Sequence, residues 1–219
     1  MKNNTIIFGD SYSTFEHYIP AGHKTYYPKK ERPELDVTQV SECWWHQVIE
    51  KANLNLILND SWSGSTIGYT GFDQADSSDF SFIARLHQLI ENDFFEKNEI
   101  HKVFVFGGTN DGWADAPLGE PTYKDWKRDN FFFVLPAICY FLYRLRETLP
   151  QAEIYCLINT ELKSEISDCM EKACRRYSIT PVTFDHIDKK CGHPTVQGMK
   201  MIADSVLQVL HSQSYSLHE

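Results

Sequence analysis

Several familiar signatures are missing from this 219-residue sequence. Its six cysteines (Cys43, Cys139, Cys156, Cys169, Cys174 and Cys191) form no CxxC pair, which argues against a zinc ribbon or a thioredoxin-like redox site. A chain this long buries about 70% of the surface its unfolded form exposes and needs no covalent staples. Reduced, mostly buried thiols are therefore expected. There is no P-loop and no GxGxxG, so the commonest phosphate cradles are excluded. There is no GxSxG, the turn an α/β hydrolase needs for its serine. Basic residues are scarce, 21 Lys+Arg against 30 Asp+Glu, for a net charge of −9. That balance speaks against nonspecific binding to nucleic acid or to an anionic membrane face.

Long apolar runs are also missing. The longest, residues 131–143, is interrupted by Pro136 and is shorter than the roughly 18–20 residues of a membrane span. It is read as a buried helix. The N-terminal segment has only Ile6, Ile7 and Phe8 in succession, too few for a signal-peptide core, so a cytoplasmic location is the default expectation. No repeat, low-complexity tract or linker interrupts the chain, and its length favours one domain over residues 1–219.

Five short runs rich in apolar and β-branched residues read as strands: 5–9, 54–58, 102–107, 153–158 and 179–184. Helical periodicity fills the gaps, with apolar stripes over 80–95, 165–177 and 196–210 and a further helix near 41–52. Strands alternating with helices predict right-handed crossovers and a mostly parallel sheet covered on both faces. Ligands of such sheets bind beyond the carboxyl ends of the strands. A long aromatic- and proline-rich segment, about 12–40, follows the first strand and is expected to form a lid or pocket wall.

Four fragments at strand ends could carry chemistry. Gly9-Asp10-Ser11 follows the first strand. A serine there presents its hydroxyl to the cleft, with its own N–H near a helix start; taken alone, Asp-Ser at this point is also an ordinary helix cap. Gly64, in the segment after the second strand, could offer an unobstructed N–H. Gly107-Gly108-Thr109-Asn110-Asp111 follows the third strand, and an Asn amide is a neutral donor suited to a developing oxyanion. Gly192-His193-Pro194 opens the last helix, where an imidazole is the natural general base.

Together, and in this order, the fragments resemble the SGNH/GDSL hydrolase superfamily. The resemblance spans residues 9 to 194. It implies a three-layer α/β/α sandwich, flavodoxin-like, with about five parallel strands. It implies Ser11 as nucleophile, Ser11, Gly64 and Asn110 as the oxyanion hole and His193 as the base. The implied activity is that of a serine esterase working through an acyl-enzyme, with no metal and no organic cofactor. One position departs from the family pattern: the Asp three residues before the His is here Lys190. Lys cannot accept the imidazole N–H. The replacements considered are, in order, Asp188, a backbone carbonyl, and Asp185.

The substrate is expected to be a small-molecule ester. Trp62, Tyr69, Trp113 and Trp126 lie in or after the loops of the catalytic edge and could stack on a sugar ring, which favours an O-acetylated carbohydrate. A lysophospholipase- or thioesterase-type acyl hydrolase and a non-catalytic, flavodoxin-like binding domain stay open as alternatives. Asp10 counts against FMN, because a carboxylate beside a phosphate is repulsive. A zinc site from His186, Cys191 and His193 matches no zinc spacing and would consume the base.

Overall fold

Alternate residues of the central strands feed two different cores, which is why these strands are apolar throughout rather than patterned with period two. The computed structural model describes residues 2–28 and 33–216. Five strands, β1 (Asn4–Gly9), β2 (Asn55–Ser61), β3 (Lys102–Phe106), β4 (Glu153–Ile158) and β5 (Thr180–Thr183), form one parallel sheet in the order β2-β1-β3-β4-β5. Ile6, Phe8, Val103, Val105, Ile154 and Cys156 enter one core with helices α2 (Phe82–Glu91), α5 (Val134–Thr148) and α6 (Ser164–Arg176). Ile7, Phe104, Phe106, Tyr155 and Leu157 enter the other, with α1 (Trp44–Lys51) and α7 (Val196–Ser216). The result is the three-layer α/β/α sandwich expected, with strands at the anticipated places. No helix among the described residues is long and apolar enough to cross a membrane.

Some boundaries differ from the sequence reading. The periodic stretch 80–95 is two helices, α2 and α3 (Phe94–Lys97), because Asp93 takes a left-handed conformation, φ 55°, between them. The run 131–143 is not broken by its proline. Arg128–Phe132 forms a 3-10 turn, and α5 starts at Val134, placing Pro136 in the first helical turn, where its missing N–H is harmless. The last helix continues past residue 210 to Ser216. A two-stranded antiparallel ladder, β6 (Lys189–Lys190) with β7 (His193–Pro194), was not anticipated. Cys191 (φ 50°) and Gly192 (φ 76°) make its turn. A two-residue hairpin of this kind requires positive φ at both positions.

The chain leaves β1 toward β2 on one side and returns to β3 on the other. The crevice this opens at the carboxyl ends of β1 and β3 is where such sheets bind ligands. The short helix α4 (Thr109–Trp113) begins there.

Candidate active site

Ser11 opens a 3-10 turn, Ser11–Ser13, held by its neighbours on both sides. The Asp10 N–H donates to Phe106 O on β3 (3.2 Å), and Asp10 Oδ1 accepts the Tyr12 N–H (3.0 Å). Gly9 permits the close approach: a Cβ there would collide with Ser61 and Ser13. The Ser11 hydroxyl lies 2.9 Å from His193 Nε2. The backbone N–H groups of Ser11 and Gly64 have no protein acceptor among the described residues, although each has neighbours that do.

The loop carrying Gly64 is clamped from two directions. From α4, Asn110 Nδ2 donates to Ser65 O (2.9 Å), while the Asp111 carboxylate accepts the N–H groups of Ile67 (3.0 Å) and Gly68 (3.3 Å). From α2, Arg85 reaches Ser65 Oγ (3.1 Å), Gly9 O (3.2 Å) and Asp60 Oδ2 (3.1 Å). One guanidinium thus ties the ends of β1 and β2 to the loop. Arg85 is fully buried, and burial holds it below the usual guanidinium range although Asp60 opposes the shift. Burial pushes the Asp10 carboxyl up to about 7 and Asp111 to about 6; in Asp111 the Ile67 and Gly68 N–H groups work against it. Asp10 Oδ2 is buried without a hydrogen-bond partner.

His193 is held by the β6–β7 hairpin and by rings. Its Nδ1 faces Cys191 O at 3.2 Å, across the turn. Tyr26 stacks on the imidazole, centroids 3.5 Å apart and planes 7° apart. Tyr12 (5.4 Å) and Trp113 (5.5 Å) approach it from other sides. The hydroxyls of Tyr12 and Tyr27 donate to Gly192 O (2.5 Å) and Pro194 O (2.9 Å), pinning the hairpin itself. The described part of the 12–40 segment is therefore a wall of the site.

The structure does not bring Asp188 to His193. Asp188 Oδ2 accepts the hydroxyl of Thr195, and Asp188 O accepts the Thr195 N–H (3.0 Å). Thr195 Oγ1 in turn accepts the Gly198 N–H (3.1 Å), the cap of α7. The carboxylate is engaged in starting the helix. Asp185 is exposed. Lys190, at the family's acid position, pairs with His193 in the ladder and points its amine toward Pro33 O (3.4 Å). Of the three replacements considered, the backbone carbonyl is the one in contact.

Sequence reasoning missed Arg85. It had a signal: it interrupts the apolar stripe of α2 between Phe82 and Leu86, where a solvated charge would not fit. Tyr26 lies in the segment expected to wall the pocket, but its stacking on His193, across 167 positions of sequence, had no signal. Two of the four aromatic residues assigned to the catalytic edge do not line it. Tyr69 is buried against Phe131 and Phe132, and Trp126 packs on Tyr140 and Tyr143. Trp62, beside Gly64, stacks between His23 and Phe80, and Trp113 is half exposed beside His193. All six cysteines are free; five are buried and Cys191 is exposed. Among the described residues, no group of three or more His, Cys, Asp or Glu side chains is gathered closely enough to hold a metal ion.

A model of the GDSL-like lipase/acylhydrolase family matches residues 3–210. A crystal structure of a candidate GDSL-like lipase from Bacteroides ovatus is 38% identical, with a TM-score of 0.90 over 97% of this chain and 99% of that one. A second, from Bacteroides uniformis, is 40% identical, with a TM-score of 0.89 over 96% of each chain. A family two carbohydrate esterase from Clostridium thermocellum shares the fold at 16% identity, with a TM-score of 0.64 over 96% of this chain and 63% of that one. No curated protein matches.

Proposed function

Because the chain belongs to the GDSL-like lipase/acylhydrolase family, we propose that it hydrolyses a carboxylic ester through an acyl-enzyme on Ser11, with an O-acetylated carbohydrate as the favoured substrate. The observation that carries this reading is the 2.9 Å contact between Ser11 Oγ and His193 Nε2, beside two unclaimed backbone N–H groups. With the Nδ1 proton donated to Cys191 O, the lone pair of the neutral ring sits on Nε2 and points at the hydroxyl.

His193 takes the Ser11 proton as Oγ attacks the ester carbon. The carbonyl oxygen becomes an oxyanion, met by the N–H groups of Ser11 and Gly64 and by the second Nδ2 hydrogen of Asn110. Collapse of the tetrahedral adduct breaks the bond to the alkoxy oxygen, which leaves with the proton from Nε2. Water then enters, His193 removes its proton, and the same steps release the acid and restore Ser11. The Cys191 carbonyl orients the ring and stabilises the imidazolium formed in between, the work done elsewhere by a carboxylate.

A small polar alcohol fits the surroundings better than a long alkyl chain. The cavity beside the nucleophile turn is about 210 Å³ and is lined by Thr109, Asn159, Glu161, Lys163 and Lys189. The test is hydrolysis of p-nitrophenyl acetate and p-nitrophenyl octanoate by the wild type and by Ser11→Ala. Turnover is expected to fall about 10³-fold or more in Ser11→Ala, with acetate preferred. Equal turnover in both proteins would remove Ser11 as the nucleophile, and preference for octanoate would return the reading to an acyl-chain hydrolase.

A further inference from the structure

We propose that the cavity at the carboxyl end of β4 binds the alcohol half of the ester, and that its occupant is a neutral polyhydroxylated ring read by Asn159. The assignment to the alcohol half rests on the esterase reading above; the cavity itself stands on its own geometry.

Asn159 follows β4 and is only 5% exposed. Its Nδ2 donates to Thr109 Oγ1 (2.9 Å). The neighbouring Tyr12 phenol spends its own proton on Gly192 O and offers none to the amide. The amide is thereby oriented, and Asn159 Oδ1 is left buried without a partner, in a residue that lines the cavity. A buried acceptor of this kind calls for an O–H or N–H donor. An alkyl chain would leave it unpaired, and a carboxylate or phosphate would repel it.

The charges on the wall point the same way. Lys189 Nζ is nearly buried and has its hydrogens taken by Thr160 Oγ1 (2.9 Å), Thr160 O (3.5 Å) and Glu161 (3.1 Å). Lys163 pairs with Asp115 at 2.5 Å. Two cations meet two carboxylates, so the wall selects no ionic group. What remains for a ligand is one buried acceptor, the Thr109 hydroxyl hydrogen and the indole of Trp113. A ring with hydroxyls at its edge and C–H bonds on its face matches all three.

The position of the cavity identifies the half of the substrate. Tyr12 and Trp113 line it, and both rings also flank His193. The loop of Gly64 lies on the other side of β1, toward β2. The leaving oxygen takes its proton from His193, so the group it carries lies on the His193 side.

Two measurements test this. In the first, D-glucose, D-xylose and glycerol are titrated against Ser11→Ala by tryptophan fluorescence, with and without Asn159→Leu. Saturable binding by at least one is expected, weakened about tenfold by Asn159→Leu. In the second, kcat/KM for 6-O-acetyl-D-glucose relative to p-nitrophenyl acetate is expected to fall about tenfold in Asn159→Leu, mainly through KM. Where Asn159→Leu fails to fold, Thr109→Val, which keeps the shape and removes the hydroxyl that the Asn159 amide donates to, carries the same expectation. No saturable binding of any of the three, or an equal fall on both esters, overturns the proposal. Sugar binding without hydrolysis of either ester would instead overturn the esterase reading and leave the cavity's assignment intact.

Discussion

Ser11 and His193 meet at 2.9 Å, yet the two sides of that contact are built by different means. The Ser11 side is a buried polar network. Asp10, Asp60, Arg85, Asn110 and Asp111 are all buried there, and their hydrogen bonds join the ends of β1, β2 and β3. The His193 side is a two-residue hairpin with an exposed cysteine at its turn, held by phenol hydroxyls and a stacked ring. The difference is one of tolerance. A network that spans three strands cannot lose a member without leaving a buried group unpaired. A hairpin can change a side chain and keep its carbonyls in place. That is why the acid position can be Lys190 while the imidazole still meets an acceptor, Cys191 O.

The comparison is broken most severely at Asn110. Asn110→Ala is expected to lower kcat by about 10²–10³-fold while the protein remains folded, read by steady-state kinetics alongside circular dichroism. Near-normal turnover would show that the two backbone N–H groups suffice. Next comes Arg85→Met, which keeps most of the volume and removes the charge. It strands Asp60 and the carbonyl of Gly9, and should cost about 3–5 kcal/mol of unfolding free energy. A loss below about 1 kcal/mol in urea denaturation would mean that the network is not cooperative.

Asp10→Asn tests the same network with the opposite sign. The folded carboxyl is raised from 3.8 to about 7, so the folded state holds its proton more tightly than the unfolded state does. Its contribution to stability is therefore greatest below pH 4, declines between about pH 4 and 7, and above 7 the full cost of a buried charge is present. Asparagine keeps the acceptor for the Tyr12 N–H and removes that cost. The variant should be more stable than wild type at pH 8 by roughly 2–4 kcal/mol, with the difference vanishing near pH 4. Denaturation at the two pH values reads it, and an Asn variant that is less stable at pH 8 would reverse the argument.

These two sides were also unequally legible in the sequence. The strands were readable because both faces of the sheet are covered, making residues such as Val103–Phe106 apolar without a break. Gly9-Asp10-Ser11 and Gly108-Thr109-Asn110-Asp111 were readable because strand-end turns need small and capping residues close together in sequence. Arg85 and Tyr26 act on the site across 76 and 167 positions, a relation that local spacing does not encode. The hairpin was hidden for another reason. A carbonyl has no sequence signature, so local spacing favours the nearest carboxylate, Asp188, as the partner of His193.

That carboxylate supplies the finest comparison and the smallest expected effect. Asp188 accepts the hydroxyl and N–H of Thr195, which caps α7 two residues after His193. Asp188→Asn keeps a side-chain oxygen for the hydroxyl and the backbone carbonyl for the N–H. If Asp188 acts only through the helix start, kcat/KM on p-nitrophenyl acetate should change by less than about threefold, since the lost charge faces the half-buried helix start and not the imidazole. A carboxylate that truly orients a catalytic imidazole behaves otherwise: replacing it by the amide costs about 10⁴ in kcat in the serine-protease triad. The two expectations differ by three orders of magnitude, so a single rate measurement decides whether His193 relies on its hairpin carbonyl or on a side chain that swings in during turnover.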